Sequence, residues 1–210
     1  MRHCSSGARK DVLFEVHTIN RLNNTPHVFN NADCQFGYRD SIFKNTLKNK
    51  HIVTHVVLKL NKTPVFHVAY GAIKEQLNGA PLSIRAISDA VIHIRQKQLP
   101  DPKVISNAGS FFKNPVVSCE LFSAIQEKYP KMPYFIEEND RVKIPAGWLI
   151  EQCGFKGKRF GDVGVHANQA LVLVNYGNGT GADIKQLSET IQKTVADKFN
   201  IALATEVNIL

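Results

Sequence analysis

Asn107-Ala108-Gly109-Ser110-Phe111-Phe112-Lys113-Asn114-Pro115 separates two stretches of different character. A hydroxyl, two amides, a cation and small residues crowd around a pair of adjacent phenylalanines. Small residues let a ligand approach the backbone, and the aromatics supply an apolar wall. An ordinary turn rarely holds two neighbouring Phe residues. The segment reads as a loop that builds a ligand site. Upstream the pattern is antiparallel β; downstream it is α+β, and α+β is the expected class of the chain.

Upstream, Val12 to Phe29 predicts a hairpin whose turn holds Asn23-Asn24-Thr25-Pro26. Ile52, Thr54, Val56, Leu58 and Leu60 alternate and predict a strand with one apolar face. Pro64 to Val68 predicts another strand. Ser83 then caps a helix carrying Ile84, Ile87, Val91 and Ile94, ended by Pro100 and Pro102. Leu99-Pro100-Asp101-Pro102 is the expected domain boundary.

Downstream, Ser118 caps a helix carrying Leu121, Ile125 and Tyr129. Ala146 to Cys153 predicts a helix closed by Gly154. Ala170 to Asn175 predicts a short buried strand, turned by Gly177-Asn178-Gly179. Ile184, Leu187, Ile191, Val195 and Phe199 mark an amphipathic helix. Ile201 to Leu210 predicts a closing strand.

Hydrophobic residues make up 43% of the 210, enough for a packed core. No apolar run approaches the roughly 20 residues of a membrane helix, and the basic start lacks a secretory h-region. A cytoplasmic protein without a membrane partner is expected. The cysteines at 4, 34, 119 and 153 lack metal or redox spacing and read as reduced thiols. The net charge of +8 is spread out, with no dense basic tract or nucleic-acid motif. A solvated basic surface or an anionic small ligand is expected, rather than nucleic acid.

Arg39 lies in Phe36-Gly37-Tyr38-Arg39-Asp40-Ser41-Ile42-Phe43, either paired with Asp40 or positioned for a ligand. Ser110 lacks a nucleophile elbow or an obvious base, which leaves a cap, a turn or a proton donor. Glu206 could face solvent from a strand. His166 has no partners at metal-ligand spacing, so a hydrogen-bonded loop histidine is expected and no metal. No G-x-G-x-x-G follows a strand, and no Walker A motif is present.

These stretches, with Leu99 to Lys103, Ala146-Gly147-Trp148-Leu149-Ile150-Glu151 and Val165 to Val172, together resemble the UDP-N-acetylenolpyruvoylglucosamine reductase family (UDP-N-acetylmuramate dehydrogenase, MurB). The motifs are collinear from about Val12 to the end. The resemblance implies an FAD- and NADPH-dependent oxidoreductase. It would reduce UDP-N-acetylglucosamine enolpyruvate to UDP-N-acetylmuramate for peptidoglycan synthesis. It implies Arg39 and Glu206 flanking an enolic intermediate and Ser110 as proton donor. It implies Tyr70, Asn114, Gln169 and Lys97 as substrate contacts, and Arg95 as a cofactor contact. The Tyr at 70 suggests the subclass with a Tyr-bearing loop over the substrate. The family carries a Lys directly before Leu-Pro-Asp-Pro; here that position is Gln98, and Lys97 lies about 100° around the helix.

By this resemblance, residues 1–11 are an unmatched lead-in. Residues 12–99 are the C-terminal part of an FAD-binding (PCMH-like) domain, a remnant rich in β-structure. Residues 100–210 are an α+β substrate-binding domain. A truncated or split chain is expected, with open sheet edges in its first half and a separate FAD-binding fragment as a candidate partner. The alternative is a UDP-sugar binding module without redox activity of its own.

Overall fold

The computed structural model describes residues 9–66, 68, 71–137 and 139–209. They divide into two compact units, one ending at residue 70 and the other beginning at Gly71.

The first unit holds α1 (Arg9–Val12), β1 (Leu13–Asn20), β2 (Pro26–Asn30), a 3-10 turn (Ile42–Lys44) and β3 (His51–Leu58). The strands form an antiparallel sheet in the order β2-β1-β3. The β1–β2 hairpin is the expected one. Its turn is closed by Asn24 N–H on the Asn20 carbonyl at 2.9 Å, with Asn24 at φ 57°. Asn tolerates that left-handed geometry better than most residues. Central β1 buries Val16 and Thr18. The Thr18 hydroxyl donates to the His27 carbonyl at 3.2 Å and lies 2.9 Å from His51 Nδ1, so this buried polar group is satisfied.

Two expectations are corrected here. Ile52, Val53, Val56, Val57 and Leu58 are all exposed, so the alternation of β3 does not produce one buried face. Residues 64–66 and 68 form no strand. Pro64 opens that stretch and lacks the amide a ladder needs. Among the described residues β2 and β3 pair only with β1, which leaves their outer edges open.

The second unit begins with α2 (Gly71–Leu77) packed on α3 (Ile84–Gln98). Ser83 caps α3 by accepting the Ala86 amide at 3.0 Å. The Leu99–Pro102 stretch ends α3, but the compact unit starts before it, at Gly71. Next come β4 (Ser106–Ser110), β5 (Val116–Ser118), α4 (Cys119–Lys128), β6 (Phe135–Ile136), β7 (Arg141–Lys143) and α5 (Ala146–Gln152). The chain ends with β8 (Arg159–Phe160), β9 (Val163–Val165), β10 (Val172–Asn175) and α6 (Gly181–Phe199). Ser118 caps α4 through the Leu121 amide, and Gly154 follows α5 at φ 76°, both as expected.

Two antiparallel sheets result, β4-β10-β9-β8 and β5-β7-β6, so the chain is α+β. The core gathers Ile144, Leu149 and Ile150 around α5, Val165 and Leu173 from the larger sheet, and Ile191, Val195 and Phe199 of α6. Ser106 to Ser110, expected as loop, is a sheet strand. Ile201 to 209, expected as a strand, makes one isolated rung, Phe112 opposite Thr205. Leu210 lies outside the described residues. No helix among the described residues is long and apolar enough to cross a membrane.

Candidate active site

The site starts with a bulge. Asn107 and Ser110 of β4 face Val174 and Val172 of β10, so three steps on one strand match two on the other. Gly109 sits inside that bulge at φ 73°, a left-handed position that glycine takes without strain. Its amide donates to Asn107 Oδ1 at 2.9 Å, while Asn107 Nδ2 holds the Ile105 carbonyl. Bulges re-aim the side chain that follows. Here that side chain is Ser110, half-buried, whose hydroxyl makes no hydrogen bond among the described residues.

The next residues clamp this geometry between two partners. Phe111 N–H donates to the Leu171 carbonyl at 2.8 Å, and the Phe111 carbonyl accepts Glu206 N–H at 2.8 Å. Lys113 N–H then donates to the Ala204 carbonyl at 2.9 Å. Phe111 and Phe112 are buried in edge contact, their ring centroids 5.2 Å apart. Each such side chain contributes about 2–3 kcal/mol of apolar burial. Ser110 therefore precedes the residue that holds the Glu206 backbone, and Glu206 is half-buried. The structure brings these two expected residues onto neighbouring segments.

Asn114 and Gln169 each lie against the first residues of α5. Asn114 Oδ1 accepts the Ala146 amide at 2.9 Å, satisfying one of the helix's orphan donors. Gln169 Oε1 accepts the Leu171 amide at 3.3 Å and would lie 3.4 Å from a Cβ placed on Gly147. The glycine thus admits the Gln169 side chain. Asn114 has a structural task, and its Nδ2 is the group left to offer a ligand.

Lys97 and Gln96, at the end of α3, line a depression of about 280 Å³ with Asp101, Ile105, His166 and Asn168. Gln98 is not part of that lining. Arg95 is exposed on α3 and likewise absent from it. His166, expected as a hydrogen-bonded loop histidine, accepts the Asn168 amide at Nδ1 at 3.3 Å.

In the first unit, Arg39 is exposed at φ 55°. Eight described non-glycine residues have positive φ; six are Asn or Asp, and the others are Gln35 and Arg39 of this one turn. Such a conformation costs a side chain like Arg about 1–2 kcal/mol. The Arg39 carbonyl accepts Lys44 Nζ at 3.0 Å, and Asp40 accepts the Ser41 amide and Asn45 Nδ2. Tyr70 lies outside the described residues.

The described residues do not fit the pyrophosphate of FAD. A pyrophosphate cradle needs backbone amides at close approach, as glycine loops provide. Gly37 is the one glycine from 9 to 66, and a Cβ there would meet only ordinary contact with Asp40. The glycine-rich turn Gly177-Asn178-Gly179-Thr180-Gly181 leads into α6, but the Asp183 carboxylate already occupies that helix start. It accepts Thr180 N–H and the Thr180 hydroxyl, each at 2.7 Å. Among the described residues no three His, Cys, Asp or Glu side chains form a metal-ligand group.

Residues 101–210 match the family model described as UDP-N-acetylenolpyruvoylglucosamine reductase, C-terminal domain. The chain is 49% identical over 205 residues to the UDP-N-acetylenolpyruvoylglucosamine reductase of Flavobacterium johnsoniae, covering 96% of this chain and 61% of that protein. It is 44% identical over 202 residues to the Bacteroides fragilis protein of the same name, covering 96% and 60%. The crystal structure of UDP-N-acetylenolpyruvylglucosamine reductase (MurB) from Thermus caldophilus superposes with a TM-score of 0.58. The identity is 25%, over 97% of this chain and 56% of that one. The chain thus spans about three fifths of the length of the curated relatives it matches.

Proposed function

Because the chain belongs to the UDP-N-acetylenolpyruvoylglucosamine reductase family, we propose that it serves the reduction of UDP-N-acetylglucosamine enolpyruvate to UDP-N-acetylmuramate. The step belongs to peptidoglycan precursor synthesis in the cytoplasm. FAD and NADPH are the redox cofactors. Across the enol ether, the β-carbon gains a hydride and the α-carbon a proton, while NADPH becomes NADP⁺. The flavin is held by protein outside the described residues, in another segment or in a separate FAD-binding fragment. The first unit is then a remnant of the flavin-side domain, and Arg95 a cofactor contact.

The chain's own residues handle charge and the proton. Once the β-carbon has been reduced, negative charge spreads from the α-carbon into the substrate carboxylate. Arg39 supplies a cation to that charge, and Glu206 flanks the same intermediate. Oriented charge of this kind is commonly the largest contribution to acceleration. The Ser110 hydroxyl gives its proton to the α-carbon. An alcohol is a weak acid, but an enolate is basic enough to take its proton. Asn114 Nδ2 and Gln169 hold the UDP-sugar, Lys97 its diphosphate, and Tyr70 lies over the nucleotide.

The observation that carries this reading is the Phe111 carbonyl to Glu206 amide bond at 2.8 Å, directly after an uncommitted Ser110 hydroxyl. One observation favours a second reading, a UDP-sugar binding module without redox activity: residues 9–66 offer no pyrophosphate cradle. The test is flavin absorbance of the purified chain, followed by NADPH oxidation with the enolpyruvyl substrate, alone and with an added FAD-binding fragment. Turnover in either mixture, lost in Ser110→Ala, is expected. Saturable substrate binding without turnover in either mixture would leave the binding module standing. Full turnover by Ser110→Ala would remove the proton donor.

A further inference from the structure

The turn that carries Arg39 has to be held in place. Gln35 and Arg39 both take left-handed φ, at 47° and 55°. Such conformations persist only where their surroundings over-determine them. Backbone pairing does little of this. Gly37 N–H donates to the Asp40 carbonyl at 3.0 Å, but the return bond, from Asp40 N–H to the Gly37 carbonyl, is stretched to 3.4 Å. Burial does not hold the turn either, because Gly37, Tyr38, Arg39 and Asp40 are all exposed.

The residues that follow supply the hold. The Asp40 carboxylate accepts the Ser41 amide at 2.9 Å, and Asn45 Nδ2 lies 3.1 Å from both of its oxygens as donor. Asn45 is itself anchored. Its backbone N–H donates to the Ile42 carbonyl at 3.1 Å, and Ile42 N–H donates to the Cys34 carbonyl at 3.0 Å. Ile42 and Cys34 are buried. A chain of hydrogen bonds thus runs from the interior of the first unit through Asn45 to the carboxylate beside Arg39. Lys44 Nζ adds a bond to the Arg39 carbonyl at 3.0 Å, but its charge would attract an anionic ligand directly. Asn45 is neutral, so what it contributes is geometry.

We infer that Asn45 is a positioning residue for Arg39: by pinning the Asp40 carboxylate it holds the left-handed turn that presents the guanidinium. The inference rests on the proposed reading in which Arg39 meets the charge on the enolpyruvyl carboxylate. Asn45 acts through the turn and needs no contact with the ligand.

Calorimetric titration of the 210-residue chain with UDP-N-acetylglucosamine enolpyruvate, and with UDP-N-acetylglucosamine, which lacks the carboxylate, tests this. Asn45→Ala should weaken the enolpyruvyl ligand about threefold to tenfold, the scale of one net hydrogen bond. Its affinity for UDP-N-acetylglucosamine should not change. Arg39→Ala should weaken the enolpyruvyl ligand further. Added to Arg39→Ala, Asn45→Ala should have no further effect, because a residue that acts through Arg39 is energetically coupled to it. The same loss from Asn45→Ala with and without Arg39 overturns the inference and leaves Arg39 its role. A loss shared by both ligands assigns Asn45 to the stability of the unit and also overturns it, as does no loss at all. If Arg39→Ala binds the enolpyruvyl ligand like wild type, the proposed role of Arg39 falls and the inference with it. Failure of wild type to bind either ligand overturns the UDP-sugar reading as well.

Discussion

Asn114 Oδ1 holds the Ala146 amide at 2.9 Å, so a residue expected to touch substrate also starts α5. The two tasks use opposite ends of one amide and can be separated. Asn114→Asp keeps the acceptor, loses the Nδ2 donor, and places a negative charge near an anionic substrate. Its melting temperature should match wild type while KM rises about tenfold or more. Asn114→Ala should lose about 1 kcal/mol of stability as well, the usual cost of removing a helix cap. Equal KM values for wild type and Asn114→Asp would restrict Asn114 to its structural task.

Gly109→Ala probes the bulge. A Cβ at Gly109 would meet nothing within 4 Å, so packing does not forbid it. The φ of 73° does. Holding alanine there costs about 1–2 kcal/mol, and the strand can relieve it by flattening the bulge. The expected result is modest destabilisation in urea unfolding with a larger fall in kcat, because Ser110 is re-aimed. A variant with wild-type kcat would show that the bulge does not position Ser110.

Helix starts and ends were legible because their chemistry is local. Ser83, Ser118 and Gly154 do what their residue types predict. Ser106 to Ser110 was not legible as a strand. Its residues, Ser-Asn-Ala-Gly-Ser, have poor β-propensity, and pairing with Val172 to Asn175 overrides it. The β5-β7-β6 sheet uses strands of two or three residues, too short to carry a period. The run after Ile201 alternates like a strand, yet Ile201 and Leu203 are buried by packing while the ladder has one rung. The site residues became legible through family resemblance alone. Spacing left both Ser110 and Arg39 with ordinary structural readings, and the bulge that singles out Ser110 is a tertiary feature.

The exposed apolar residues of β3 predict association of the isolated chain. Ile52, Val53, Val56, Val57 and Leu58 are each at least 39% exposed, next to an open strand edge. Such surfaces promote edge pairing and aggregation. Val56→Lys should lower concentration-dependent light scattering without reducing the melting temperature. Unchanged scattering would mean that another surface drives association.

The start of α6 predicts a pH dependence. Thr180 and Asp183 form a reciprocal capping box: Asp183 accepts Thr180 N–H and hydroxyl, and Thr180 Oγ1 accepts the Asp183 amide at 3.2 Å. These hydrogen bonds from the Thr180 backbone and side chain hold the Asp183 carboxyl below its ordinary pKa. A carboxyl whose pKa is lower folded than unfolded stabilises the fold above its unfolded value, and that contribution disappears as pH falls through the folded value. The unfolded value is about 4. The melting temperature of wild type should therefore exceed that of Asp183→Asn by a constant margin from about pH 7 to pH 5. The margin should shrink as pH drops below about 4 and vanish once both states are protonated. Taking the difference between the two proteins cancels the other carboxylates, which titrate in both. Because α6 buries Leu187, Ile191, Val195 and Phe199, loosening its first turn should register in the cooperative melt rather than as local fraying. A margin that stays flat down to pH 3 would show that the Asp183 charge contributes nothing to the cap.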